Sequence, residues 1–181
     1  LDKDKHFYFM EANTRVQVEH TISEELTGVD IVKEQLLVAM GNKLSIRQKE
    51  VEFRGCSIQF RINAENPANN FMPSPGRLEY FIPPGGPNVR VDTACYAGYS
   101  IPPFYDSMIA KLIVNGKDRN EALAHAKSVL RAFHIGPIHT TIPFHLYMLQ
   151  DKRFVEGIDY TIGYIDQLIE EGATFELEPQ E

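Results

Sequence analysis

Tryptophan is absent from these 181 residues, and cysteine occurs twice, as Cys56 and Cys95. Two thiols do not make the disulfide framework of a small secreted domain. In a chain of this size they point to a reducing compartment, and the cytoplasm is the expected location. Neither lies in a CxxC pair or a Cys/His cluster, which argues against a zinc site. No stretch reaches the ~18 to 20 apolar residues that a membrane span needs. Positive charge is in the minority, with 18 Lys plus Arg against 25 Asp plus Glu and a formal charge of -7. Nonspecific nucleic-acid binding draws most of its energy from cations on phosphates, so neither a nucleic acid nor a membrane is an expected partner. An initiator Met, a basic n-region and an h-region are missing as well. The chain opens LDKDKHFYFMEAN, which reads as a piece of something longer.

What is present is ordinary globular composition, 43% hydrophobic and 24% charged. That excludes disorder and collagen-like chains. A chain this long can bury a core, since ~150 residues already hide roughly two-thirds of the unfolded surface.

Local pattern divides the chain. His6 to Ala12 is aromatic-rich and predicts a strand. Alternation continues beyond it, with Glu11, Asn13, Arg15, Gln17 and Glu19 at every second place. In extended backbone these five would line one side over about 26 Å. Thr21 and Glu24 have capping-box spacing, and Gly28 can end that helix. Asp30 is an expected N-cap for Ile31 to Met40. From Cys56 to Asn63 the period is two, with Cys56, Ile58, Phe60 and Ile62 on one face. Asn66 to Gly76 reads as a loop. Strands are expected at Arg77–Ile82, Val89–Asp92 and Met108–Val114, and Gly/Pro turns between them favour an antiparallel sheet or barrel. Asp118 and Glu121 form a second capping box before a helix to about His134. Its apolar stripe is Ala122, Leu123, Ala126, Val129, Leu130 and Phe133. Helices are expected from Pro143 through Leu149 and from Ile162 to Glu171, with a frayed acidic tail from Ala173.

The series from Glu11 to Glu19 admits two readings. One is a strand with a solvated face. The other is a reaction site. A carboxylate and a carboxamide two residues apart offer hard oxygen ligands that suit Mg²⁺ shared with substrate phosphates. An Arg two residues on can clamp an oxyanion, and a second Glu can act as a general base. Metal, anion clamp and base in series suit phosphoryl transfer to an oxygen nucleophile.

FMEANTRVQVEHTISEELTGVDIVKEQL resembles the end of the ATP-grasp domain of biotin-dependent carboxylases. RGCSIQFRINAEN, FMPSPGRLEYF, YAGYSIPPFYDSMIAKLIVNG and the stretch from Gly136 to Thr141 resemble their biotin carboxylase C-terminal domain. The resemblance runs from Phe7 to Asp159. PSPG and YAGY are closer to acetyl-CoA or acyl-CoA carboxylases than to pyruvate carboxylase. It implies an α+β fold: a C-terminal strip of an ATP-grasp domain over residues 1–46, then a mostly antiparallel sheet or barrel with packed helices over 47–159, then a helix and tail over 160–181.

The implied activity is ATP- and bicarbonate-dependent carboxylation of biotin through carboxyphosphate, the first half-reaction of acetyl-CoA carboxylase in fatty acid biosynthesis. Carried onto matching positions, Glu11 and Asn13 would hold Mg²⁺ (or Mn²⁺), Glu11 beside ATP. Arg15 would contact bicarbonate or the phosphate derived from it. Gln17 and the backbone N–H of Val18 would orient bicarbonate, and Glu19 would take its proton. Arg61 would stabilise the biotin enolate, whose oxygen charge needs a fixed cation. The implied partners are a biotin carboxyl carrier, a carboxyltransferase, the missing N-terminal part of the same enzyme and a second copy in a homodimer.

The family's glycine-rich phosphate loop does not occur between Leu1 and Gly55, so this chain alone is expected to be inactive. His20 reads as a capping or packing residue and Asp106 as orienting the sheet. Arg90 is either a subunit contact or simply exposed. Two other classes compete: an ATP-grasp ligase with another acceptor, such as carbamoyl phosphate synthetase, and a nonenzymatic assembly module. FRINAE and YDSMIAKL speak against the first. The intact charged series speaks against the second.

Overall fold

The longest run of period two does become a strand. β1 (Cys56–Asn63) turns Phe60 and Ile62 into the core, while Arg61 between them stays exposed. The structure is a computed structural model that describes residues 2–158 and 161–176. Two compact units divide it, one up to Glu52 and one from Phe53.

The first unit carries two helices. Helix α1 (His20–Thr27) ends at Gly28 in the left-handed conformation, φ 72°, which glycine adopts without a Cβ penalty. The expected capping box at Thr21 is corrected. The helix begins two residues earlier, with Glu19 at the N-cap position; Thr21 is fully buried inside it, and Glu24 instead accepts the backbone N–H of Ile31 at 2.8 Å. That bond ties the two helices together, because the first N–H groups of a helix have no partner within it. Helix α2 (Ile31–Ala39) is capped as expected, with Asp30 accepting from Lys33 N. The strand expected at His6–Ala12 does not form. A strand is defined by a ladder partner, and the aromatic run has none among the described residues; Phe7, Phe9 and Met10 are 85%, 84% and 90% exposed.

The second unit is α+β, as the sequence implied, but it closes no barrel among the described residues. β1, β6 (Val89–Thr93) and β8 (Met108–Gly116) form an antiparallel sheet in the order β1-β8-β6. Three small ladders surround it: β2 (Glu65–Asn66) with β3 (Met72–Pro73), β4 (Gly76–Arg77) with β7 (Ser100–Ile101), and β5 (Tyr80–Ile82) with β9 (His134–Gly136). The single strand expected over Arg77–Ile82 is therefore two, joined at Leu78, which is fully buried.

Helix α3 (Arg119–Arg131) covers the sheet. It buries Leu123, Ala126, Val129 and Leu130 in one core with Leu112 and Val114, Phe133 follows into the same core, and Ala122 is buried as well. Fully burying each large aliphatic side chain contributes roughly 1.5–3 kcal/mol. Asp118 accepts from Glu121 N, and Glu121 accepts from Lys117 N, so this capping pair holds. The helix stops at Arg131 rather than His134, because His134 enters a ladder with Ile82. Gly116 lets α3 approach closely: a Cβ there would stand 2.4 Å from the Ala122 nitrogen.

Helices α4 (Ile142–Met148), α5 (Lys152–Glu156) and α6 (Tyr164–Glu170) complete the unit. α5 was not expected. The tail is corrected in part: Phe175 is buried with Met148, Tyr164 and Leu168, its ring 5.2 Å from Phe144 and 5.1 Å from Tyr147. The rest of the expected frayed tail, from residue 177, lies outside the described residues.

Candidate functional site

Candidate residues fall in both units. In the first, Glu11, Asn13 and Arg15 lie on an exposed irregular segment, and the Arg15 guanidinium reaches the carbonyl of Val16 at 3.3 Å. Gln17 and Val18 are half-buried where the chain turns into α1, and Glu19 is the exposed N-cap position. The five polar side chains therefore do not line one extended strip. The turn at Val18 and Glu19 ends the alternation before its last member.

His20 fixes that turn. The carbonyl of Gln17 accepts from His20 N at 3.2 Å and from the ring Nδ1 at 2.6 Å, so Nδ1 carries the proton. His20, expected to cap or to pack, thus ties down the turn before α1, and the helix has no side-chain cap at Glu19. Glu11 and Asn13 present oxygen donors on an open surface. Two donors are fewer than an octahedral Mg²⁺ shell needs, which fits an ion that takes its other ligands from substrate phosphates and water. A tighter group, Asp2, Asp4 and His6, has ligand atoms within 4.8 Å of one another. There Asp2 is already engaged as a turn clamp, accepting from the N–H groups of Asp4 and His6 and from the Tyr8 hydroxyl.

In the second unit, Arg61 stands on the face of β1 opposite the core. Register places Lys111 beside it on β8 and Asp92 beyond that on β6. Asp92 accepts from Arg90 at 2.8 and 3.0 Å, and Lys111 Nζ lies 3.4 Å from it. Burial raises the Asp92 carboxyl, but Arg90 and Lys111 together overcome this, and its pKa lies below the usual value. Arg61, Lys111 and Arg90 thus form a row across three strands, with Asp92 paired to Lys111 and Arg90. Such a row offers a positive field for developing negative charge.

The backbone around Arg61 is held by residues the sequence did not single out. Thr141 and His145, at the start and middle of α4, both bond the Arg61 carbonyl, at 3.0 and 2.9 Å. On the side chain of Glu65, Oε1 accepts from Asn63 Nδ2 at 3.2 Å and from the Ser107 hydroxyl, while Ala64 N donates to the Ser107 carbonyl at 2.8 Å. The FRINAE and YDSM stretches are therefore joined through Glu65 and Ser107. Asp106 accepts from Met108 N at 2.8 Å and so orients the start of β8, as expected. His145 sits against Phe60 and Phe144, ring centroids 5.3 and 5.4 Å away. Burial lowers its pKa to about 4, so the ring is neutral near pH 7, and a neutral ring facing a carbonyl must carry its proton on Nε2.

Residues 59–167 match the family described as the biotin carboxylase C-terminal domain, and residues 1–47 match the carbamoyl-phosphate synthase L chain ATP-binding domain. Biotin carboxylase 1 of Bacillus subtilis (strain 168) is 58% identical over 154 residues, which cover 85% of this chain and 34% of that protein. A pyruvate carboxylase subunit of Methanothermobacter thermautotrophicus is 52% identical over 161 residues, 89% of this chain and 33% of that one. Among solved structures, the biotin carboxylase domain dimer of Hydrogenobacter thermophilus 2-oxoglutarate carboxylase superposes with a TM-score of 0.87 at 43% identity. The match covers 93% of this chain and 37% of that one, and that structure contains MgADP, ADP and bicarbonate. The chain spans about a third of the length of the curated relatives it matches.

Proposed function

The chain belongs to the biotin carboxylase family, and we propose that it forms the bicarbonate- and biotin-facing part of an ATP-dependent biotin carboxylase serving acetyl-CoA carboxylase in fatty acid biosynthesis. The observation that carries this reading is the 58% identity to a biotin carboxylase over 85% of the chain.

Glu19 takes the proton of bicarbonate, whose oxygen then attacks the γ-phosphorus of ATP as the bond to ADP breaks. Arg15 clamps the bicarbonate or the phosphate derived from it, and Gln17 with the N–H of Val18 orients it. Glu11 and Asn13 would hold Mg²⁺ or Mn²⁺ in part, and the ion would supply positive charge to the phosphates. The carboxyl group then passes from carboxyphosphate to a ureido nitrogen of biotin: the carbon–oxygen bond to phosphate breaks as the nitrogen–carbon bond forms, and the departing phosphate carries off the ureido proton. Arg61, within its row of cations, stabilises negative charge on the ureido oxygen. A biotin carboxyl carrier, a carboxyltransferase, further N-terminal sequence and a second copy complete the assembly. The expected setting is the cytoplasm, and among the described residues no helix is long and apolar enough to cross a membrane.

Bicarbonate-dependent ADP release and carboxylation of free biotin by a full-length protein carrying this sequence test the activity. The 181-residue chain by itself is expected to show neither. ATP turnover by the short chain near the full-length rate would refute its inactivity, and a full-length protein that ignores biotin would refute the function. The acyl acceptor is tested by adding the carrier and carboxyltransferase and comparing acetyl-CoA with pyruvate, since relatives named for different carboxylases match this chain at 58% and 52% identity.

A further inference from the structure

β1 is an edge strand of its sheet, paired with β8 on one side only. An edge strand leaves alternate N–H and C=O groups without ladder partners. On β1 these include the carbonyl of Arg61 and both backbone groups of Asn63, and α4 meets all three. Thr141 N donates to Asn63 O at 3.1 Å. The Thr141 hydroxyl accepts from Asn63 N at 3.0 Å and donates to Arg61 O at 3.0 Å. His145 Nε2 donates to the same Arg61 oxygen at 2.9 Å.

Covering an edge needs one donor per carbonyl. The Arg61 carbonyl has two, and the second comes from an imidazole set between the rings of Phe60 and Phe144. An apolar ring would fill that space without the cost of desolvating a polar group. The two donors stand one helical turn apart, with His145 N bonded to Thr141 O at 3.0 Å, so their spacing is rigid.

We propose that Thr141 and His145 are positioning residues for Arg61: by gripping its carbonyl from both lone pairs they fix the peptide from which the guanidinium projects towards biotin. The proposal rests on the reading that Arg61 faces the biotin oxygen. A guanidinium at the end of a long side chain is placed only as well as the peptide from which it springs. Displacements of about 1 Å at a reacting centre can cost on the order of a hundredfold in rate.

The test uses a full-length carboxylase carrying this sequence. Two rates are read, bicarbonate-dependent ATP cleavage without biotin and carboxylation of free biotin, together with the unfolding midpoint. His145→Phe keeps the aromatic packing and removes the donor. It is expected to lower biotin carboxylation about tenfold while ATP cleavage stays within about twofold. His145→Gln, which returns a donor at a similar reach, is expected to recover most of the loss. Thr141→Val supplies a second donor deletion should His145→Phe fold poorly, and the same split is expected. In an Arg61→Ala background, His145→Phe is expected to cost nothing further in biotin carboxylation, because the two act as one unit.

Equal losses in both rates, or a loss that adds in full to that of Arg61→Ala, would overturn the proposal and leave His145 as a cover for the strand edge. An Arg61→Ala enzyme that carboxylates biotin normally would overturn it at its premise. That failure is recognisable because it shows with His145 intact.

Discussion

Among the described residues up to Glu52 the buried side chains are Thr21 and Glu24, both polar, while Leu36, Met40 and Leu44 are 62%, 78% and 62% exposed. From Phe53 onward more than twenty apolar side chains are buried, around two centres. The first region is organised by hydrogen bonds at turns and caps; the second is organised by a core. Caps and turns each contribute about 1 kcal/mol, whereas a buried leucine contributes more and does so cooperatively with its neighbours. The proposed bicarbonate residues thus stand on the less self-sufficient part of the chain, and Arg61 on the part that carries its own stability.

In a full-length protein, Arg61→Ala is expected to slow biotin carboxylation roughly a hundred- to a thousandfold and bicarbonate-dependent ATP cleavage much less. Glu19→Ala, in the other region, is expected to depress both, since the proton is taken before the two steps diverge. Identical profiles for the two variants in steady-state assays would erase the division of labour.

Stability is the next discriminator. Leu112→Ala, at a fully buried position between β1 and β6, is expected to cost about 2–5 kcal/mol in urea unfolding of this chain. Leu36→Ala on exposed α2 is expected to change it by no more than about 0.5 kcal/mol. A large effect at Leu36 would show that the first region contributes a core after all.

Acid titration separates them more finely. His145 has a folded pKa of about 4 against an ordinary value near 6.5. A depressed folded pKa means that its contribution is complete above about pH 6.5 and is lost as pH falls towards 4. The loss is at most about 3 kcal/mol, less whatever water still screens at the ring edge. His145→Gln should flatten that limb of the stability profile. A limb that persists unchanged assigns the acid sensitivity to other groups. Gly116→Ala, where α3 meets β8, gives the smallest expected change that is still decisive, about 1–3 kcal/mol from overpacking against backbone.

Elements with a long single period were legible without coordinates. β1 and α3 follow their apolar spacing, and all six residues of the expected α3 stripe, Phe133 included, are buried. The pattern failed where structure depends on distant partners. His134 continues a helical period yet pairs with Ile82, 52 positions earlier. His6 to Ala12 has strand composition but no ladder. Phe175 sits in an acidic tail yet fills a gap among Phe71, Phe144 and Tyr147. Of the candidate site, residue types and order were readable, because chemistry resides in side chains. The grip of Thr141 and His145 on Arg61 was not, since a bond across 80 or more positions leaves no periodic trace.

Sequence by itself settled which chemical groups this protein possesses, which residues prefer a core and which family it joins, because each follows from side-chain identity and near-neighbour spacing. Tertiary structure alone decided which strand became an edge, that α4 covers that edge, and that a neutral histidine holds the arginine's carbonyl. Hydrogen bonding and burial between remote segments are properties of the folded arrangement, and they exist only once the chain has closed on itself.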